Sequence, residues 1–160
     1  MPSLPPVIAT FLGSAGVEPL PHGGRAYRWP RHHLVGLPPS SGRLDPSWRH
    51  VAPEPPLALR QVWSVHDGLG RPGDARTPVL SPCLLPAARV RPLSAEVRFG
   101  EHDILFAPAA WLGVVDLGTT LWCMNASGHA APFDRGTRQL GAPREGEAMW
   151  RALIVSWTPA

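Results

Sequence analysis

The sequence predicts a single α+β domain, an antiparallel meander packed with helices. Three observations carry that reading. A proline-bounded helical pattern sits mid-chain, short apolar segments separated by turn residues follow it, and an amphipathic stripe closes the chain. With 160 residues, 44% hydrophobic and 17% charged, the chain is long enough to bury a core and too apolar for a disordered polymer.

Of the 21 prolines, most cluster in the first half, in "SLPPV", "EPLPHGG", "GLPPSSG" and "APEPPL", which argues against long regular elements there. Residues 2–53 read as loop-rich. They hold one short helix in "PPVIATFLGSAG", closed by Gly16, and one short strand, Ala26 to Trp29, interrupted by Pro30. "APEPPLALRQVWSVHDG" is the clearest helix of this half. Pro55 and Pro56 suit a first turn, where the N–H groups they lack would be unpaired anyway, and Glu54 suits the positive end of the helix dipole. Leu57, Ala58, Gln61, Val62 and Val65 recur at helical spacing. His66 and Asp67 then occupy the last turn, where a charged histidine favours the dipole, and Gly68 and Gly70 form the exit as a structural turn.

The second half changes character. "TPVLSPCLLPAARVRPLS" is an apolar segment broken by prolines. "HDILFAP", "WLGVVDLG", "TTLWCMNASG" and "HAAPFDRG" read as short strands, with "NASG" and "DRG" as hairpin turns because Asn, Asp and Gly tolerate the required angles. In "APREGEAMWRALIVSW", Met149, Trp150, Leu153, Ile154 and Trp157 form a helical stripe, with Arg144, Glu145, Glu147 and Arg151 turned away. No repeat and no polar linker divides the chain. Residues 1–51 are the proline-rich N-terminal part of the same domain whose core is 52–160.

Composition narrows the chemistry. The net charge is +3 and every basic residue is Arg, but the arginines are scattered among acids without a basic run, so no nucleic-acid partner is expected. Cys83 and Cys123 are too few for a disulfide framework or a four-thiolate zinc site and sit among apolar neighbours as small buried hydrophobes. No basic leader precedes the short run "VIATFLG", and no stretch approaches a membrane span. The expectation is a reduced, cytoplasmic protein with no membrane partner.

The adjacent His66 and Asp67 raise a catalytic question. Neighbouring residues usually point different ways, and a catalytic role would need a nucleophile or metal from elsewhere, whereas a helix stop needs nothing further. His32 and His33 would face opposite sides of a strand, His22 and His50 lie at irregular distances, and HExxH and CxxC are missing. "GLGRPGD" lacks the GK[ST] ending of a phosphate loop, and no GxSxG elbow occurs. The acid pairs Glu145/Glu147 and Glu101/Asp103 fit solvated faces. No catalytic residue, cofactor or metal is therefore expected. Among the seven tryptophans, Trp63, Trp122 and Trp150 belong to amphipathic elements and the core, while Trp48 and Trp111, in loop or turn surroundings, are the candidates for partner contact.

From Ala52 to Trp157 the pattern resembles the SUKH superfamily of immunity-protein and cell-wall-regulator-like domains. The residues that carry the likeness are "EPPLALRQVWSVHDGLG", "VLSPCLLP", "DILFAPAAWLGVVDLGTTLWCMNASG" and "EAMWRALIVSW". The resemblance implies a curved antiparallel sheet with helices and a non-enzymatic bacterial immunity protein that binds and neutralises a cognate toxin, often encoded next to it. It also implies an alternative, an intracellular regulatory or scaffold module. Two departures stand out: the family's acidic hairpin is here the apolar "AAWLGVVDLG", and the proline-rich third has no counterpart. The net positive charge argues mildly against a nuclease as the toxin. A third reading, a small hydrolase or metal-dependent enzyme using His66 or His33, would require one of these imidazoles to be free to react.

Overall fold

A computed structural model of the chain describes residues 4–48, 54–73, 80–95 and 110–159. The first helix, α1 (Pro6–Leu12), starts with proline at its first position, where no N–H is needed, and buries Ile8 and Leu12 one turn apart. It ends at Leu12 rather than running on to Gly16. The Gly13 N–H bonds to the Ala9 carbonyl, and the Ser14 hydroxyl donates to Phe11.

The proline-rich third contains more sheet than its composition suggests. Strands β1 (Gly16–Pro19), β2 (Arg25–Arg28) and β3 (His33–Gly36) form an antiparallel ladder, with Gly16 opposite Arg28 and Arg28 opposite His33. Pro30 interrupts nothing. It occupies the turn between β2 and β3, which the Trp29 N–H closes on the His32 carbonyl at 2.9 Å.

Helix α2 (Leu57–Trp63) is shorter than its sequence pattern. Pro56 stands before it, and its carbonyl accepts the first helical bonds, so the two prolines precede the helix instead of filling its first turn. The buried stripe is Leu59, Val62 and Trp63, continued beyond the helix by His66, whereas Leu57 is 63% exposed and Ala58 is also exposed. The stripe is therefore rotated from the expected one, because docking on the sheet selects the face with the larger side chains. His66 and Asp67 lie past the last turn, and Gly68 reverses the chain with φ +117°.

From there the meander runs on through β4 (Leu69–Gly70), β5 (Cys83–Leu84), β7 (Leu112–Asp116), β8 (Thr120–Met124), β9 (His129–Asp134) and β10 (Gln139–Leu140). The short β6 (Arg91–Pro92) shares the edge of β7 with β5, and β11 (Arg144–Glu145) shares the edge of β9 with β10. The described strands make one open antiparallel sheet in the order β1-β2-β3-β4-β5-β7-β8-β9-β10. Gly70 belongs to β4 rather than to the turn. A Cβ there would lie 2.3 Å from the Cβ of Cys83 in the neighbouring strand.

The expected hairpin turns form. The Asn125 carboxamide accepts the N–H groups of Ser127 and His129, and the Asp134 carboxylate accepts those of Gly136 and Thr137. The strand expected in "HDILFAP" and the acid pair Glu101/Asp103 lie outside the described residues.

Helix α3 (Gly146–Trp157) buries Met149, Trp150, Leu153 and Trp157, as its stripe predicts, and lies over β9 and against α1. Arg144 and Glu145 are not its first turn but strand β11, opposite Ala130 and His129. Two indole N–H groups tie helices to the residues that flank β5: Trp63 donates to the Leu85 carbonyl at 3.0 Å and Trp157 to that of Pro82 at 2.9 Å. Buried side chains from α1 to α3 form one continuous core. Among the described residues, no helix is long and apolar enough to cross a membrane.

Both glycines of the turn region are expected to resist substitution. Gly70→Ala should cost about 1–3 kcal/mol, since the strands must part to admit the methyl group. Gly68→Val should cost about 1 kcal/mol or more through its positive φ. Urea unfolding at constant m-value measures both, and unchanged midpoints would contradict the packing described.

Candidate functional site

The His66–Asp67 pair is a junction between segments. The His66 imidazole is fully buried. Its Nδ1 faces the Leu37 carbonyl at 2.9 Å and its Nε2 faces the Tyr27 hydroxyl at 2.7 Å. A carbonyl only accepts, so Nδ1 carries the hydrogen, and Nε2 accepts from the tyrosine. The ring lies against Gly36, where a Cβ would sit 2.6 Å from three of its carbons. Asp67 points elsewhere: its carboxylate accepts the Ala87 N–H at 2.8 Å, and its own N–H reaches the Pro38 carbonyl.

Burial holds the pKa of His66 below the ordinary histidine value. The Leu37 hydrogen bond opposes that shift and the charge of Arg25 adds to it. His66 is thus a neutral structural group rather than a charged partner for the dipole of α2, and neither ring nitrogen is free to act as a base. The two cysteines are buried, as expected of small hydrophobes. Burial, with Asp116 adding to it, pushes the Cys83 thiol up to about 12, far from a reactive thiolate.

The two tryptophans singled out as contacts fall differently. Trp111 is only 8% exposed and belongs to the core at the start of β7, with its carbonyl accepting the Leu93 N–H. It is not the open turn residue that its neighbours Pro108 and Gly113 suggest. Trp48 ends a 3-10 turn, Pro46–Trp48, and its side chain lies outside the described residues. Trp63, Trp122 and Trp150 are buried, as expected.

A different surface is concave. A groove of about 450 Å³ opens where the start of α1, the exposed side of α2, the β8–β9 turn and the start of α3 meet. Leu4, Pro5, Pro6 and Val7 form one wall, Ala58 and Gln61 a second, and Met124 and Trp150 are largely buried beneath it. Gly128, Gly146 and Glu147 complete it, and the exposed Leu57 lies next to Ala58. The lining is mostly apolar, with Gln61 and Glu147 as its polar members. Glu147 pairs with Arg151 one turn along α3 at 2.8 Å, an exposed pair of small energetic weight. Such a surface can take up apolar side chains of a partner and hydrogen-bond the partner's polar groups at its rim. Its residues come from four distant segments: the sequence puts Ala58 and Gln61 on the mid-chain helix, Glu147 and Trp150 on the closing helix and Met124 in a strand, but no local signal brings them together.

Among the described residues, no group of three or more His, Cys, Asp or Glu side chains is placed to hold a metal ion. No protein-family model, curated protein or solved structure matches this chain.

The state of His66 sets a pH dependence. Its folded pKa lies below the unfolded value near 6.5, so the unfolded chain takes up the proton first. Its contribution is complete above that value and is lost as pH falls through the depressed folded pKa, at up to about 1.4 kcal/mol per pH unit. His32, depressed as well, adds to the same slope. Denaturant unfolding should show a decline beginning below pH 6.5. His66→Gln should be less stable at pH 8 by about 1–3 kcal/mol and should decline less steeply. Equal stability at pH 5 and pH 8 in the parent chain would contradict a buried neutral imidazole.

Proposed function

We propose that this chain is a non-enzymatic binding protein of the SUKH type, a cytoplasmic bacterial immunity protein that neutralises a cognate toxin by covering it. The observation that carries the reading is the apolar groove between the three helices, which suits the capture of side chains from a folded protein. The likeness of residues 52–157 to that superfamily supplies the biological context. The hydrolase reading loses its main residue, because both nitrogens of His66 are engaged within the fold.

Binding requires that the groove remain open. Ala58 is exposed on α2 and lines the groove, so arginine there would fill it without touching the core, and arginine is a good helix former. The toxin partner to test is the C-terminal domain encoded by the neighbouring upstream gene. The parent chain should form a tight one-to-one complex with it and rescue cells that express it. Ala58→Arg should bind about 100-fold more weakly or worse, roughly 2.7 kcal/mol, with its melting temperature preserved. A complex that tolerates Ala58→Arg would remove the groove from the interface. Binding to a host protein, without any toxin being neutralised, would favour the regulatory-module reading.

A further inference from the structure

At the far end of α3 from the groove, three elements meet around a chain of rings. Phe11 of α1 stacks near Trp157 of α3, with centroids 6.1 Å apart, and near Trp29, at 5.0 Å. His32 then lies on Trp29 almost parallel, with 4.6 Å between centroids and 2° between planes. The Trp29 indole is itself anchored, its N–H donating to the Ser14 hydroxyl at 2.9 Å. Arg71 enters from the segment after β4 and donates one terminal N–H to the Trp157 carbonyl. A cavity of about 320 Å³ opens here, lined by Trp29, Pro30, Arg31, His32 and Pro159.

Hydrogen-bond bookkeeping makes this corner unusual. Among the described residues, the buried side-chain nitrogens and oxygens without a partner are Nδ1 and Nε2 of His32 and Nε of Arg71. Buried polar groups are nearly always satisfied in folded proteins, so an unpaired set calls for an explanation. An Arg Nε–H can only donate, and a neutral imidazole carries one N–H of its own. The Arg71 Nε–H and the one N–H of a neutral His32 thus lack an acceptor, and protonation of the ring would turn its second nitrogen into a donor as well. We propose that the cavity is a binding site for a small oxyanion, a sulfate-, phosphate- or carboxylate-type group held by His32 and the exposed Arg31, which line it, with the Arg71 guanidinium on the adjoining Trp157 carbonyl adding its charge from behind.

The charges fit. Around His32 stand Arg31 on its own turn, His33 on β3 and Arg71 beyond β4, while Phe11 of α1, Ser14 just past its end and Trp157 of α3 bring no charge. The Arg28–Glu18 pair on the adjacent β1–β2 ladder is already neutralised internally. Burial first, then Arg71 and His33, hold the His32 pKa below its ordinary value. An anion in the cavity would offset these cations and allow the imidazolium to form, giving Nδ1 and Nε2 two donors to spend. Anion binding should therefore raise the His32 pKa and tighten as pH falls.

The test uses the full chain with sodium sulfate and sodium acetate as probes, and sodium chloride as the control at matched ionic strength. His32 ring signals are followed by NMR and the melting temperature is recorded. Sulfate, whose charge is constant from pH 5 to 8, should shift the His32 signals saturably and raise its pKa. Saturation by acetate as well would assign the site to carboxylates such as acidic side chains; a response to sulfate alone would assign it to tetrahedral groups. His32→Phe keeps the ring on Trp29 and needs no partner, so it should melt no lower than the parent in chloride and gain nothing from sulfate. Arg71→Gln should weaken the sulfate response at least tenfold. The proposal is overturned if neither probe saturates, if chloride gives the same shift, or if His32→Phe keeps the full sulfate stabilisation.

Discussion

The fold depends on one imidazole being neutral and dry. His66 links the segment after α2 to two places in the N-terminal third, the Tyr27 hydroxyl on β2 and the Leu37 carbonyl after β3, and its ring lies flat on Gly36. A charged ring in that position would have to be desolvated against a backbone glycine, with Arg25 acting on it as a further cost. Because the neutral ring fits, the β1–β3 ladder is drawn to the same junction from which β4 departs. A proline-rich stretch with only short four-residue strands thereby becomes part of the sheet.

The residues beside His66 extend the same junction in the other direction. Asp67 fixes the chain before β6 through the Ala87 N–H, and Gly68 permits the reversal that starts β4. Gly70 then lets β4 and β5 approach so closely that no side chain fits between them at that point. A motif with the look of a dyad beside a glycine loop is in fact a set of backbone anchors. Both ring nitrogens of His66 and one carboxylate oxygen of Asp67 are engaged where they stand.

The surface follows from helix length. Helices α1 and α2 have seven residues each and follow prolines, while α3 has twelve, so the three leave a concave space where their beginnings converge. At the opposite end of α3, the Phe11–Trp29–His32 and Phe11–Trp157 contacts fill the corner with rings and leave polar nitrogens at its margin. One helix thus runs between an apolar groove at its start and a corner that holds Arg31, His32 and Arg71 at its end.

By itself the sequence determined the elements whose signals are local. The stripe of α3, the strands β7, β8 and β9, the Asn125 and Asp134 turns and the reversal at Gly68 all depend on residues within a few positions of one another. Tertiary structure alone decided the rest. Strands β1 and β3 have only four residues each, too few to announce themselves, and exist because each has a partner to pair with. The buried face of α2 was chosen by the sheet it docks on, not by the periodicity of its own residues. His66 reads as a helix-end residue until Tyr27, 39 positions away, supplies its partner. The groove and the His32–Arg71 corner likewise unite segments that no window of sequence contains, since burial and hydrogen-bond pairing are properties of neighbours in space.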